Sequence, residues 1–403
     1  MRKEWKNGVL SDFVEQFIVP QRDKPKSFSG SIPWCRIEDI NGKYLSQSNS
    51  GKCVTEHQIK SMPLRVFPKG TVIVSCSADL GRCAIVELPL ITNQTFIGLV
   101  PKKELLPGYL YYSMINRAKE LNSIATGATI KYLSKKKFQN LEFSLPPLEE
   151  QQRIVSTLDI AFDNYDRKMN QISENLELSK TLFSSILYSE FSNDIENWSE
   201  SELTDVAYTA GRIGWKGLTA KEYTESGPLF LSVHSLNYGH YVDFRDANHI
   251  SQERYDESPE IMLEPNDILI CKDGAGIGKL GIVNEIQSPS TINGSLLLIR
   301  ATEILLPKFL YYCLLSPYFQ SIVQSRLEGS TTPHLYQRDI KQFPVRYPTV
   351  ELQQRIVKKL DTVARDYEKL LSNYSREREN IDELKQSILQ EAFSGKLTGG
   401  IDA

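Results

Sequence analysis

A stretch of 48 residues occurs twice in this chain, and this repeat constrains the fold more than any other feature. Residues 145–192 and 347–394 align without a gap at an offset of 202, with 18 of 48 positions identical. A period near 200 residues is too long for a solenoid and indicates a duplicated domain pair. The chain therefore reads as domain 1 (residues 1–145), helix segment 1 (146–197), domain 2 (198–347) and helix segment 2 (348–403).

Both helix segments carry apolar residues in alternating steps of four and three, which is the spacing of a coiled-coil seam. We predict two helices of about 43 residues each, with Arg378 and Lys385 interrupting the seam of the second. Early Glu residues favour the start of a helix, and Gly395 favours the end of the second one. The residues predicted to form the helix–helix contact are Leu158, Phe162, Tyr165, Met169, Ile172, Leu360, Tyr367, Leu371, Tyr374 and Ile381.

The order of the segments predicts the relative direction of the two helices. Helix segment 1 ends where domain 2 begins, and helix segment 2 begins where domain 2 ends. Because the termini of a compact domain usually lie close together, the helices should run antiparallel, with the domains at opposite ends. We predict an α+β fold: two mixed α/β domains separated by two long antiparallel coiled-coil helices, with an internal pseudo-two-fold repeat. Packing of each helix only on its own domain is the alternative, but it does not account for the helix length.

The two domains are themselves diverged repeats of each other. ELLPGYLYYSM (104–114) aligns with EILLPKFLYYCL (303–314), which predicts a short helix that starts at Pro and carries a Tyr pair. Residues 67–86 parallel residues 263–283, and both read as a strand, a glycine turn and a strand. SIATGATIKYL (123–133) parallels SRLEGSTTPHLY (325–336). We refer to these two features as the glycine hairpin and the late polar loop of each domain.

Composition excludes several classes of protein. The chain is 40% hydrophobic and 24% charged, which is typical of globular domains. No apolar run approaches 18 residues and the first residues lack the apolar centre of a signal peptide, so we expect a cytoplasmic protein. The six Cys residues show no CxxC pairing and read as buried thiols, neither disulfides nor a zinc site.

Charge is distributed unevenly along the chain. Domain 1 carries 21 basic and 12 acidic residues, whereas domain 2 carries 13 basic and 18 acidic residues. The basic balance of domain 1 is typical of a surface that binds phosphates. If domain 2 also binds DNA, its positive charge must be gathered on one face.

One stretch imitates an enzyme motif without completing it. DGAGIGKL (273–280) resembles a phosphate loop, but Asp273 and Leu280 stand where that loop needs Gly and Ser or Thr. The five His residues are scattered, and we find neither an amino-methyltransferase nor a nuclease signature. A nucleotide-binding enzyme and a coiled-coil scaffold joining two protein-binding domains are the alternative functions. Binding of ATP or S-adenosylmethionine to the isolated chain, which we do not expect, would favour the enzyme, and the basic balance of domain 1 counts against the scaffold.

The phrases LPPLEEQQRIV, YPTVELQQRIV and QEAFSGKLTG, with two variable domains and two similar long helices, resemble the specificity subunit of a Type I restriction-modification system. The resemblance covers the whole chain. It implies that each domain is a target recognition domain that reads one half of a split, asymmetric site on double-stranded DNA. It also implies that the helices act as a spacer and dock two modification (methyltransferase) subunits, and that restriction (endonuclease and translocase) subunits join through the complex. This chain would be non-catalytic and without a cofactor or metal, and S-adenosylmethionine, ATP and Mg²⁺ would belong to the partners.

The predicted DNA contacts lie in three parts of each domain: an early basic segment, the glycine hairpin and the late polar loop. Lys and Arg would chiefly hold phosphates, whereas His, Tyr, Ser and Thr could reach base edges. The predicted residues are Arg22, Lys24, Lys69, Arg82, Thr126, Thr129, Lys131 and Tyr132 in domain 1, and Arg212, Lys216, Lys272, Lys279, Ser330, Thr331, His334 and Tyr336 in domain 2.

Overall fold

The computed structural model describes residues 5–20, 25–77, 79–127, 131–192, 196–212, 218–327 and 334–397. The chain divides into two compact units. Unit 1 comprises Met1–Gln171 and Glu377–Ala403, and unit 2 comprises Ile172–Arg376. Each unit therefore contains one domain together with part of both long helices.

Domain 1 combines short strands with short helices and leads into the first long helix. Its strands are β1 (Lys6–Val9), β2 (Val14–Ile18), β3 (Ile32–Cys35), β4 (Tyr44–Leu45), β5 (Cys53–Val54), β6 (Val72–Ser75), β7 (Cys83–Val86), β8 (Ile91–Thr92), β9 (Phe96–Pro101) and β10 (Glu142–Leu145). Its helices are α1 (Leu10–Phe13), α2 (Glu56–Ser61), α3 (Pro107–Asn116), α4 (Ala118–Ile124) and α5 (Lys135–Gln139), followed by the long helix α6 (Leu148–Ser192). The sheets have the strand orders β2-β9-β6-β7-β4, β5-β3-β8 and β1-β10.

Domain 2 repeats this plan. Its strands are β11 (Ser199–Glu202), β12 (Ala207–Ala210), β13 (Tyr223–Leu231), β14 (Asn248–Ile250), β15 (Ile268–Cys271), β16 (Leu280–Ile282), β17 (Ser290–Ile292), β18 (Leu296–Ala301) and β19 (Pro344–Tyr347). Its helices are α7 (Leu203–Val206), α8 (Gln252–Asp256), α9 (Pro307–Leu315), α10 (Pro317–Leu327) and α11 (Gln337–Lys341), followed by the long helix α12 (Val350–Ser394). The sheets have the strand orders β12-β18-β15-β16, β14-β13-β17 and β11-β19.

The glycine hairpins and the Tyr-bearing helices predicted from the repeat are confirmed. Strands β6 and β7 pair antiparallel, as do β15 and β16, and all four are buried along their length. Runs of Val, Ile and Leu form such strands because apolar residues then cover both faces. In domain 2 the turn at Gly274–Gly276 leads into β16 and not into a helix, so it lacks the helix terminus of a phosphate loop.

Each domain is closed by pairing of its first and last strands. Lys6 of β1 lies opposite Leu145 of β10, and Ser199 of β11 lies opposite Tyr347 of β19. The termini of each domain are therefore adjacent, which is the condition from which the antiparallel direction of the helices was predicted.

The long helices α6 and α12 each span 45 residues, slightly more than predicted. Helix α12 ends at Ser394 and is followed by Gly395, whose φ of 74° lies in the left-handed region that favours glycine. The Lys396 N–H donates to the Glu391 carbonyl at 3.1 Å, as in a Schellman cap. Within the described ranges no helix is long and apolar enough to cross a membrane.

The two long helices run antiparallel in each unit, which confirms the predicted direction. In unit 1 the Tyr165 hydroxyl donates to Asp382 Oδ1 at 2.6 Å, and Lys168 Nζ lies 2.9 Å from Glu377 Oε1. In unit 2 the rings of Phe183 and Tyr367 stack at 4.9 Å. Glu190 and Lys359 form an ion pair further along the helices. Later residues of α6 therefore again contact earlier residues of α12.

The core of each unit contains side chains from both long helices. In unit 1, Ile154 and Leu158 of α6 are buried together with Leu389 and Ala392 of α12. In unit 2, Leu187 and Phe191 of α6 are buried together with Ile356 and Leu360 of α12. The helices thus pack on the domains as well as on each other. The C-terminal end of α12 completes the core of domain 1, and the C-terminal end of α6 contributes to the core of domain 2.

The residues predicted for the helix–helix contact are all buried or half-buried, and none of them is exposed. Leu158 and Leu360 face the domain cores, so they contribute to domain packing as much as to the seam. Lys385 interrupts the seam as expected, and its Nζ lies over the rings of Phe162 and Tyr165 at 4.7 and 3.8 Å. Burial lowers the pKa of Lys385, with Asp166 and Asp382 acting in the opposite direction.

The first Gln of each repeated QQR phrase is a buried clamp between the long helix and its domain. Gln151 is fully buried, and its Nε2 donates to the carbonyls of Glu104 and Pro146, both at 2.8 Å. Its Oε1 accepts from the Leu106 N–H at 2.8 Å, just before α3. Gln353 makes the same three contacts in unit 2, with Ile304, Pro348 and Leu306. This use of the amide explains why the repeat retains Gln at this position.

We expect Gln151→Ala to destabilise unit 1 by at least about 2 kcal/mol, because three buried backbone groups would lose their partner. Thermal unfolding should then begin about 5 °C lower than in the unaltered chain. The matched control is Gln152→Ala, since Gln152 is exposed and adjacent. Equal unfolding midpoints for the two variants would contradict the clamp.

Candidate nucleic-acid interface

In each domain the end of the late polar loop lies beside the glycine hairpin, although the two are far apart in sequence. In domain 1 the backbone of Tyr132 forms isolated bridges with Ser77 of the hairpin and with Thr126. In domain 2, His334 forms the equivalent bridge with Asp273. We call these two surfaces the hairpin–loop edge of domain 1, around Ser77 and Tyr132, and of domain 2, around Asp273 and His334.

A buried leucine fastens each loop to its hairpin. The Leu133 N–H donates to the Cys76 carbonyl at 2.8 Å, and the Leu335 N–H donates to the Lys272 carbonyl at 2.9 Å. Both leucines belong to the domain cores. Because side chains alternate along an extended backbone, burying the leucine holds its polar neighbours outward.

Three residues predicted to contact DNA come together at the edge of domain 1. Thr126, Lys131 and Tyr132 are all exposed, and the backbones of Thr126 and Tyr132 exchange hydrogen bonds of 3.1 and 2.8 Å. This pair of bonds holds the backbones of Thr126 and Tyr132 together, and Lys131 and Tyr132 place a cation next to an aromatic hydroxyl. Such a pair can hold a phosphate and reach a base edge at the same time.

The two basic residues predicted on the domain 1 hairpin lie at opposite ends of it. Arg82 is at the tip, where its Nη2 donates to the Ile40 carbonyl at 2.5 Å and its Nη1 lies 3.4 Å from Asp79. Lys69 precedes β6 at the base, since the adjacent Gly70 N–H donates to Val86 at the far end of β7. The structure therefore does not bring Lys69 to the hairpin–loop edge.

At the edge of domain 2, one carboxylate joins the hairpin to the loop. Asp273 accepts from Lys272 Nζ at 2.6 Å and pairs with His334 Nδ1. Lys272 is half-buried and its charge is balanced by this carboxylate, whereas Lys279 is exposed and donates to Asn237 at 2.8 Å. Of the two hairpin lysines, Lys279 is the one whose charge faces solvent.

The sequence did not single out Arg338, an exposed cation of this edge. Tyr336 is exposed beside His334, with ring centroids 4.6 Å apart. The guanidinium of Arg338 lies 5.3 Å from the Tyr336 ring centre, and 82% of its side chain is exposed. Arg338 lies two residues after Tyr336, a predicted contact, and this spacing could have identified it from the sequence. Arg, Tyr and His together offer a cation and two hydrogen-bonding rings to a ligand.

Arg212 does not belong to this interface, and its prediction is corrected. Only 6% of it is exposed, its Nε donates to the Ile292 carbonyl at 3.0 Å, and its guanidinium lies 5.3 Å from the Phe230 ring centre. Burial lowers the pKa of Arg212, and the neighbouring Arg254 adds to this effect. A side chain engaged in this way stabilises domain 2 and cannot reach a DNA phosphate.

Six further residues predicted to contact DNA lie outside the described residues, and the structure neither supports nor opposes them. They are Arg22, Lys24, Thr129, Lys216, Ser330 and Thr331.

Metal-ligating groups and thiols were considered in the described part of the chain. No group of three or more His, Cys, Asp or Glu residues is arranged there to hold a metal ion. All six cysteines are free thiols, and burial raises the pKa of Cys35 to about 12 and that of Cys76 to about 11. Thiols with these pKa values are protonated at neutral pH and are poor nucleophiles.

An apolar groove along the paired helices occurs in both units at equivalent positions. In unit 1 it has a volume of about 640 Å³ and is lined by Tyr165, Leu384 and Ile388 among others. In unit 2 it has a volume of about 200 Å³ and is lined by the equivalent Tyr367, Leu182 and Ile186. Leu384 and Leu182 are 59% and 62% exposed, respectively. Repeated exposed apolar positions of this kind are typical of surfaces that bind another protein.

Comparison with known proteins relates the whole chain to one family. A family model described as "Type I restriction modification DNA specificity domain" matches residues 2–178 and 195–373. The MjaIX specificity subunit of a Type I restriction enzyme from Methanocaldococcus jannaschii is 26% identical over 98% of this chain and 94% of that protein. The EcoBI specificity subunit from Escherichia coli is 24% identical over 91% of this chain and 80% of that protein.

Solved structures give the same result for the fold. A chain from a study of complex assembly and conformational transition in a type I R-M system has a TM-score of 0.75 and 21% identity, over 98% of both chains. The HsdS subunit from Thermoanaerobacter tengcongensis has a TM-score of 0.52 and 19% identity, over 98% of this chain and 97% of that one. At these identities the likeness concerns the fold.

Proposed function

The chain belongs to the family of Type I restriction modification DNA specificity domains, and from this premise we propose that it selects the DNA target of a Type I restriction-modification complex. Domain 1 and domain 2 each read one half of a split site on double-stranded DNA. The observation that carries the proposal is the hairpin–loop edge, which gathers two distant polar segments into one exposed surface in each domain.

The chemistry of the two edges supports an asymmetric target. Domain 1 offers Lys131 and Tyr132, whereas domain 2 offers His334, Tyr336 and Arg338. Lys and Arg hold phosphates and set the register on the duplex, and the ring and hydroxyl groups reach base edges. Because the two edges present different groups, the two half-sites differ in sequence.

The helices α6 and α12 set the distance between the half-sites and dock two modification subunits. The repeated apolar groove supports this stoichiometry, because equivalent grooves in unit 1 and unit 2 suit two copies of one partner. The partners carry the catalysis: modification subunits bind S-adenosylmethionine, and restriction subunits use ATP and Mg²⁺. This chain itself is non-catalytic and acts in the cytoplasm.

Exchange of one domain tests the proposal. Replacing residues 1–145 by the first domain of a relative, with the junction placed at the β1–β10 pair that closes the domain, should change one half of the methylated sequence. The other half should stay unchanged, because each domain has its own edge. Methylome sequencing of a strain that carries the complete system measures both halves at once.

The reciprocal exchange of residues 198–347, closed by the β11–β19 pair, is the control and should change only the other half. If either exchange altered both halves, the assignment of one half-site to each domain would be wrong. A coiled-coil scaffold with two protein-binding domains predicts that neither exchange alters the methylated sequence.

A further inference from the structure

Unit 1 contains a cavity that the proposed function does not use. Its volume is about 990 Å³, and it lies between domain 1 and the two long helices of that unit. Its walls include Tyr111 and Tyr112 of α3 and three carboxylates of α6, Asp159, Asp163 and Asp166. A cavity of this size holds a side chain together with the segment that carries it.

At the equivalent place in unit 2, a side chain of the same domain is present. His240 Nδ1 lies 2.8 Å from the Tyr311 hydroxyl, and its ring packs against Phe183 with centroids 5.5 Å apart. Glu368 Oε1 accepts the backbone N–H of His240 at 3.2 Å and lies 4.0 Å from its Nε2. Unit 2 therefore fills this place with a planar nitrogen-bearing ring held by a tyrosine hydroxyl and a carboxylate.

The residue of domain 1 that corresponds to His240 is Lys43. The Ile85 N–H donates to the Lys43 carbonyl at 2.8 Å, and the equivalent Ile282 N–H donates to the His240 carbonyl at 3.0 Å. The following residues, Tyr44 and Tyr241, pair in parallel with these same isoleucines. The correspondence thus rests on backbone contacts as well as on sequence.

Lys43 does not fill the cavity, because it forms an ion pair with Asp159. In unit 2, Lys308 Nζ lies 2.8 Å from Asp361, which also accepts from the Tyr312 hydroxyl at 2.8 Å. In unit 1 the position of Lys308 is Gly108, so Lys43 pairs with Asp159 instead. Tyr111, the counterpart of Tyr311, therefore has no equivalent of His240 beside it. Asp166, the counterpart of Glu368, has Lys385 nearby instead.

The hydroxyl of Tyr111 is the clearest sign of a missing ligand. Tyr111 is only 7% exposed, and its hydroxyl makes no hydrogen bond to any described residue. Burial raises the pKa of Tyr111, and the nearby charges of Asp166 and Asp159 add to this effect. Because Tyr111 lines the cavity, its hydroxyl is available to a hydrogen-bonding ligand bound there.

The charge of the cavity favours a cation over a neutral ring. Where α12 carries Asp361, Arg365 and Glu368, α6 carries Asp159, Asp163 and Asp166. The basic residues that line the cavity already have partners. Lys43 pairs with Asp159, and Arg82 binds Asp79 and Ile40. Lys385 lies over Phe162 and Tyr165, with Asp166 and Asp382 nearby. The carboxylates of Asp163 and Asp166 stay exposed to an incoming group.

We propose that this cavity binds the guanidinium of an arginine side chain presented by a partner protein. The guanidinium donates to the Tyr111 hydroxyl and to the Asp166 carboxylate. Arginine fits better than lysine because its planar fork donates in several directions and can reach the hydroxyl and the carboxylate together. This inference does not depend on the proposed function, since it concerns a site on unit 1 alone.

Peptide binding to the intact chain tests the inference. The probe is acetyl-Gly-Arg-Gly-amide, compared with the same peptide containing citrulline, which has the shape of arginine without its charge. Isothermal titration should give at least about fivefold tighter binding of the arginine peptide. Tyr111→Phe and Asp166→Asn should each abolish most of this preference. Tyr111→Phe should do so without lowering the unfolding midpoint, because its hydroxyl makes no hydrogen bond to any described residue.

Tyr311→Phe is the matched control. It removes the hydrogen bond to His240, so it should lower the stability of unit 2 while leaving arginine-peptide binding unchanged. Equal binding of the two peptides, absence of binding, or unchanged binding by a folded Tyr111→Phe variant would each overturn the proposal.

Discussion

Lengthening both long helices by seven residues is expected to lower methylation of the native target by at least about 100-fold. One heptad adds about 10 Å to each helix and keeps the coiled-coil seam in phase. The insertions belong after Gln171 in α6 and after Arg376 in α12, where the division between the two units falls on each helix. If the helices set the distance between the half-sites, one edge then no longer meets its bases, and each lost base pair costs about 1–3 kcal/mol.

The same variant should respond to a longer target only in part. About 10 Å corresponds to about three base pairs along B-form DNA. Three base pairs also rotate the duplex by roughly a third of a turn, since one turn contains about 10 base pairs. Methylation of a target with three added base pairs is therefore expected only if the helices twist to follow the rotation.

Methylome sequencing with the partner subunits present measures both targets. The control is the number of modification subunits bound by the lengthened chain, which should stay at two because the insertions lie outside the residues that line the apolar grooves. Full methylation of the native target by the lengthened chain would limit the helices to docking and would exclude them as the spacer.

Charging the repeated apolar groove should remove the modification subunits one at a time. Leu384→Asp in unit 1 and Leu182→Asp in unit 2 each place a carboxylate where an apolar partner surface would bury it, which costs several kcal/mol. Native mass spectrometry should find two partner copies on the unaltered chain, one on each single variant and none on the double variant. Methylation by the double variant should fall by at least about 100-fold.

The exposure of the two leucines makes this test selective. Both are more than half exposed in the chain alone, so an aspartate at these positions should not disturb the fold. Tyr188→Asp is the matched control, because Tyr188 is an exposed apolar residue of α6 that does not line the groove. A double variant that still binds two copies would show that the subunits dock elsewhere.

The long helices and the paired domains could be predicted because their signals are periodic and repeated. The seam positions of α6 and α12 recur within the chain, so the sequence supplied its own second example. The glycine hairpins and Tyr-bearing helices were visible for the same reason. Adjacent domain termini then determined the direction of the helices.

Contacts between distant segments could not be predicted in this way. Arg212 looked like a surface cation, but it binds the carbonyl of Ile292, 80 residues away, and no local pattern records that pairing. Gln151 was visible as a repeated residue, yet its partners are backbone groups, which any sequence supplies. The side-by-side placement of hairpin and loop likewise depends on the fold, because it follows from the burial of Leu133 and Leu335.

The shared cores determine the order in which the two units can finish folding during synthesis. Unit 2 is a continuous stretch, Ile172–Arg376, so its core is complete once that stretch has left the ribosome. Unit 1 is made first but needs Leu389 and Ala392 from the last helix to complete its core. At about 5–20 residues per second, the roughly 230 residues between Leu158 and Leu389 take about 10 to 50 s to appear. During that interval part of the apolar surface of unit 1 is uncovered in the nascent chain. Unit 2, although it is made later, is the first to finish folding.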